Sequence, residues 1–174
     1  MRGVVARSDD GPVEVRRASD ADLGPLVAVF GSRLFFGDCL AGQRRGDGVL
    51  LIAWLDGRPV GDVFLACDPA DEPEVRRWLP GVPRLVHLEV DGRLWRRGIG
   101  PALIQAGEDS ARRLGHRRLA LGVALDNTGA RRLYGRLGYA DWGHGTVVGT
   151  WQERDHDGPP VTHSEVLAML VKDL

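Results

Sequence analysis

The stretch from Leu85 to Leu114 constrains this chain more than any other. Leu85 to Val90 reads as a strand. A loop rich in arginine and glycine follows, Asp91-Gly92-Arg93-Leu94-Trp95-Arg96-Arg97-Gly98-Ile99-Gly100. From Pro101 to Leu114 the spacing turns helical, with Leu103, Gly107, Ala111 and Leu114 on one face and Gly115 where a helix C-cap belongs. The glycines let a backbone approach a ligand, and a helix start offers unpaired N–H groups and a positive dipole end. Together these make an anion site suited to phosphate or pyrophosphate. Pro101 has no N–H but is tolerated in a first helical turn. The same Gly-x-Gly also suits an ordinary tight turn, and the loop by itself does not separate the two. Leu103 stands where a dinucleotide fingerprint needs its third glycine, and no Gly-Lys-Ser/Thr follows as in a Walker loop.

The rest of the chain alternates strands with helices. Val13 to Arg16 alternates like a strand, and Ser19 or Asp20 offers an N-cap to a helix carrying Leu23, Leu26, Val27 and Phe30. A short helix is expected around Phe35 to Gln43. Val49 to Leu55 and Pro59 to Ala66 read as a hairpin closed by Asp56-Gly57, a pair suited to positive φ. Cys67 to Pro83 reads as a long connection with one helical turn at Glu74 to Trp78. Arg118 to Val123 is a further strand. Asn127 caps a helix with Ala130, Leu133, Tyr134 and Leu137 as its apolar stripe, closed by Gly138. Two strands, Thr146 to Arg154 and Val166 to Val171, flank a polar turn at Asp155 to Pro160. The mixture predicts an α/β or α+β domain with one sheet over residues 1–174.

Bulk properties narrow the function. Twenty-three Lys and Arg against 24 Asp and Glu leave a net charge of -1, which gives no support to nucleic-acid binding. Lys172 is the sole lysine, an imbalance that coding bias toward arginine explains. The N-terminus has no signal-peptide core, and the longest apolar run, Val49 to Leu55, is too short to span a bilayer. Cys39 and Cys67 are isolated and lack metal-ligand spacing, so a reduced, cytoplasmic setting is expected, with no metal.

Two segments in fixed order carry a resemblance. The first is the strand ending in Val90 with its Gly98-Ile99-Gly100 loop. The second is Asn127, a helix, then Leu133-Tyr134 and Gly138-Tyr139. Alone, the second reads as an N-cap and a core tyrosine. Taken together, from Leu85 to Tyr139, they resemble the GNAT N-acetyltransferase superfamily. Two departures stand out: Trp95 takes the place of a Gln or Arg in the loop, and Gly92 that of a frequent proline.

The resemblance implies a GNAT-like acyl-CoA N-acyltransferase fold, a single mixed, mostly antiparallel sheet flanked by helices. It implies an acetyl-CoA (coenzyme A) co-substrate lying where two neighbouring strands, here Leu85 to Val90 and Arg118 to Val123, part. Backbone groups of Leu88 and Val90 would pair with the pantetheine amides. The pyrophosphate would rest on N–H groups from Arg97 through Gly98, Ile99 and Gly100, with Arg96 and Arg97 adding charge. Asn127, Ala130 and Tyr134 would line the cofactor arm. A free alkylamine is mostly protonated at neutral pH, so a base is needed. Glu89 is the candidate, with His87 the alternative on the same strand face by the two-residue repeat. The Val90 N–H would hold the oxyanion, and Tyr134 would protonate the departing thiolate. The acceptor would be a small-molecule or peptide amine, and Asp38 with Asp68, Asp71 and Glu72 lies in segments that flank the acceptor side. A homodimer is compatible with the family. Two other classes fit the same residues: a non-catalytic acyl-CoA-binding or sensing module, and a nucleotide-binding protein using the glycine loop for another phosphate.

Overall fold

The computed structural model describes residues 4–8, 11–153 and 161–174. Eight strands form one sheet: β1 (Val4–Ser8), β2 (Gly11–Arg17), β3 (Gly48–Leu55), β4 (Arg58–Ala66), β5 (Arg84–Val90), β6 (Arg118–Ala124), β7 (Ala140–Glu153) and β8 (Val161–Asp173), in the spatial order β1-β2-β3-β4-β5-β6-β8-β7. Every neighbouring pair is antiparallel except β5 and β6. The helices are α1 (Leu23–Phe30), α2 (Arg33–Arg45), α3 (Pro73–Trp78), α4 (Ile99–Arg113) and α5 (Thr128–Arg136).

Alternation along the strands sends apolar side chains to both faces, so helices cover both. On one face α4 packs Ile99, Leu103 and Ile104 onto Val15, Ala53, Val63, Leu85 and Leu121. Gly107 lets it settle closely, since a Cβ there would stand 2.6 Å from Leu85 Cδ2. On the other face α1 and α2 cover Leu50, Ile52 and Trp54 with Leu26, Phe36 and Leu40. Farther along that face α3 shields Ala120 and Met169 with Val75 and Leu79.

One buried charge cluster locks α4 to the far side of the sheet. Glu108 accepts from Tyr139 Oη at 3.1 Å and from Lys172 Nζ at 2.7 and 2.8 Å. A buried carboxylate without such partners would be strongly destabilising.

The expected elements appear with shifted ends. The terminal strand pair is longer than its apolar runs, and β7 tolerates an irregularity between Asp141 and Thr146 where Gly143 and Gly145 adopt positive φ. Strand β1 was not among the expected elements. The polar turn at 155–160 lies outside the described residues.

Candidate active site

The parallel pair β5 and β6 is the break in the sheet. It is registered only at Arg84↔Ala120 and Leu85↔Leu121. Beyond Leu85 the strands part, and the edge of β5 from Val86 to Val90 has no strand partner on that side among the described residues. The expected splay is therefore present, at the expected strands.

Below the splay lies the glycine loop. Gly98 is the N-cap of α4, and its φ of 80° is a left-handed value that favours glycine. Arg96, at φ 64°, is also left-handed. No side chain caps α4. Its first intrahelical bond runs from the Ala102 N–H to the Gly98 carbonyl at 3.1 Å, so the amides of Ile99 and Gly100 precede the ladder. A Cβ on Gly98 would meet nothing within 4 Å, so conformation rather than crowding selects glycine there. The middle of α5 packs beside the start of α4, with Leu133 Cδ2 lying 3.9 Å from where a Gly100 Cβ would be. Asn127 Oδ1 accepts from the Ala130 N–H at 3.1 Å and so caps α5.

Tyr134 is 8% exposed and packs edge-on against Tyr139. Burial holds its phenol above the ordinary value, so it keeps its proton at neutral pH. Trp95, 69% exposed, donates its indole N–H to the Val90 carbonyl at 2.9 Å. The residue that departs from the family pattern thus occupies an acceptor on the open edge of β5.

On the opposite side of the sheet, a cleft of about 770 Å³ opens between α2 and β5. Phe35, Asp38, Phe64, Asp68, His87 and Glu89 help to line it, whereas Asp71 and Glu72 do not. Arg45 also lines the cleft and is paired with Asp47 at 2.7 Å. His87 and Glu89 do meet, two residues apart with Leu88 turned to the other face, and the alternation breaks only ahead of His87. Between Asp62↔Glu89 and Phe64↔Val86, strand β5 carries one residue more than β4, a bulge in which His87 sits at φ 52°. The bulge reverses the parity of the strand. Leu85, Leu88 and Val90 pack against the α4 core, while His87 and Glu89 face the cleft.

The bulge also delivers His87 to a residue that local sequence reading misses. Asp62, 0% exposed on β4, receives His87 Nδ1 at 2.9 Å. The opposite ring nitrogen, Nε2, lies 3.7 Å from Glu89 Oε2. Asp62 Oδ1 has no hydrogen-bond partner among the described residues. Burial raises the Asp62 carboxyl, an effect that His87 opposes. Burial pulls His87 down, but the hydrogen bond and charge of Asp62, with the charge of Glu89, outweigh it and leave the imidazole above its ordinary value. A visible signal for Asp62 did exist in the sequence: it is the one charge inside the apolar run Val60 to Ala66.

Asp62, His87 and Glu89 also bring potential metal-ligand atoms within 4.8 Å of one another. The imidazole nevertheless turns opposite edges to the two carboxylates. Opposite edges suit the passage of a proton.

Comparison with known proteins agrees with this geometry. Residues 20–139 match the Acetyltransferase (GNAT) family. The chain belongs to that family. An uncharacterised N-acetyltransferase from Methanocaldococcus jannaschii is 32% identical over 99 residues, which is 57% of this chain and 42% of the relative's length. Solved structures share the fold at low identity. A GNAT family acetyltransferase from Elizabethkingia anophelis, crystallised with acetyl-CoA bound, superposes with a TM-score of 0.61 at 16% identity, covering 95% of this chain and 99% of its own. The PaiA N-acetyltransferase of Thermoplasma acidophilum, in complex with coenzyme A, gives 0.64 at 16% identity, covering 93% and 99%. Among the described residues no helix is long and apolar enough to cross a membrane.

Proposed function

We propose that this protein transfers the acetyl group of acetyl-CoA to a primary amine, by direct attack within a ternary complex. The observation that carries the reading is the parting of β5 from β6 after Leu85, with an uncapped helix start on one side and an acidic, aromatic cleft on the other. An extended pantetheine arm fits an unpaired strand edge as an added strand would. On this reading the amides of Gly98, Ile99 and Gly100 receive the pyrophosphate, and Arg96 and Arg97 add charge. Leu88 and Val90 offer backbone groups to the arm, which requires the Trp95 indole to leave the Val90 carbonyl. Asn127 is used as a helix cap through Oδ1, so only its amide nitrogen is available to the cofactor, beside Ala130.

In the reaction, the amine lone pair forms the C–N bond as the C–S bond breaks. The Val90 N–H receives the developing oxyanion. Tyr134 gives its proton to the thiolate, a role its burial-raised pKa supports. The acceptor's proton leaves on the cleft side, at the His87 and Glu89 pair. Asp38 and Asp68 suit a cationic acceptor there, and Phe35 and Phe64 suit an apolar body next to its amine.

Calorimetric titration with acetyl-CoA, with ATP and NADH as controls, tests this reading. One-site binding of acetyl-CoA alone is the expected result and justifies screening amines by thiol release. Well-folded protein that ignores acetyl-CoA would overturn it.

A further inference from the structure

We propose that buried Asp62 is a positioning residue that holds His87 with Nε2 facing the cleft, so that His87 takes the acceptor's proton while Glu89 anchors the incoming ammonium. The inference rests on the acetyltransferase reading and deepens it at the acceptor side.

Three observations converge on it. The first is cost. A buried carboxylate oxygen without a partner among the described residues is unfavourable. A histidine held at positive φ adds backbone strain. Two such costs in adjacent strands, aimed at one contact, mark a place where function outweighs packing.

The second is orientation. Asp62 Oδ2 fixes Nδ1 at 2.9 Å, and Phe35 stacks on the imidazole with ring centroids 3.9 Å apart and planes tilted by 34°. One edge and one face of the ring are thereby occupied. The free edge, Nε2, points toward Glu89 and the open cleft. In the neutral ring the proton sits on Nδ1 against Asp62, which leaves Nε2 as the basic nitrogen.

The third is the surroundings. The ionisable groups around the ring are Asp38 and Cys39 of α2, buried Asp62 of β4, Glu89 of β5, and, also lining the cleft, Asp68 and Arg45 with its partner Asp47. Burial pushes the Cys39 thiol up to about 12, so it contributes no charge at neutral pH. With Arg45 offset by Asp47, the balance of charge is negative and favours an imidazolium once the proton arrives. Glu89, half-exposed at the cleft mouth, is placed to attract a cation.

The proton balance is simple. An ammonium acceptor loses one proton to Nε2, which passes it to solvent through the open cleft. The amine attacks, its second proton leaves by the same nitrogen, and the sulfur takes one from Tyr134, which is reprotonated from water. Each turnover releases one proton net.

Nitrogen-15 NMR titration of the histidine rings tests the positioning without any acceptor, with His87→Gln assigning the signal. His87 is expected to titrate above about 6.5 and to carry its neutral proton on Nδ1. Asp62→Asn should lower that midpoint by about one pH unit or more and mix the tautomers. With any amine that supports thiol release, activity is lost as pH falls through the His87 midpoint. The acidic limb of kcat/KM should therefore move to lower pH in Asp62→Asn. His87→Gln should reduce kcat about 10²–10⁴-fold with acetyl-CoA affinity retained. Glu89→Gln should chiefly raise KM for a cationic amine. A His87 midpoint indifferent to Asp62→Asn, or a kcat abolished by Glu89→Gln but not by His87→Gln, overturns the inference. Failure to bind acetyl-CoA would instead overturn the acetyltransferase reading, so the two failures are distinct.

Discussion

The two sides of the splayed sheet are built from different material. The side proposed for the cofactor is made of backbone: an unpaired strand edge, a left-handed glycine and the first amides of α4. The side proposed for the acceptor is made of side chains gathered from far apart, with Asp62 and His87 separated by 25 positions and Phe35 arriving from a helix on a third segment. A backbone site needs a particular conformation, and conformation is written in adjacent residues. A side-chain site needs a particular neighbour, and neighbours are written in the register of strands. The difference explains how one side can serve a common cofactor while the other varies with the acceptor.

Three substitutions would break or sharpen that contrast. Tyr134→Phe, between the two sides, should have the largest effect, lowering kcat about 10²–10⁴-fold with acetyl-CoA affinity nearly unchanged. Steady-state kinetics beside calorimetry decide it, and unaltered turnover would reduce Tyr134 to a packing residue. Gly98→Val probes the backbone side. A β-branched residue at φ 80° opposes the native loop by about 1–2 kcal/mol, so acetyl-CoA affinity should fall about tenfold or more, while the His87 titration stays in place. Retained affinity would show that the loop does not hold the pyrophosphate. The smallest effect concerns the helices over the acceptor cleft. Arg16 binds Asp22 at 2.8 and 2.9 Å just ahead of α1 and, with the Ser19 amide and hydroxyl, holds the carboxyl at about 2. A depressed value means stability present above the unfolded value of about 3.9 and lost as pH falls toward 2. Asp22→Asn should cost about 1–2 kcal/mol in denaturant melts at pH 7 and little at pH 2. A cost that persists unchanged in acid would assign the loss to packing.

These differences also set how far the sequence could be read. The Val90 strand, the Gly98 loop, the α4 and α5 periodicities and the hairpin through Asp56-Gly57 were legible because each is a local pattern. The Asn127 cap was legible for the same reason. The bulge at His87 was not, because a two-residue repeat carries no mark of one inserted residue. The face shared by His87 and Glu89 follows the two-residue repeat across Leu88, whereas the same repeat carried back to Leu85 fails at the bulge. Asp62 was overlooked although a charge in an apolar strand is conspicuous, since nothing near it names its partner. Trp95 was visible as a departure, but its bond to the Val90 carbonyl depends on how the loop folds back.

The pairing of Lys172 with Glu108 has a consequence for the chain's own chemistry. On the proposed function, the protein's own side-chain amines would stand in the presence of a reactive thioester. The sequence holds one ε-amine, and it donates to both carboxylate oxygens of buried Glu108. An amine engaged in this way is less open to acylation, so amine-directed coupling reagents should modify Lys172 slowly until the protein unfolds.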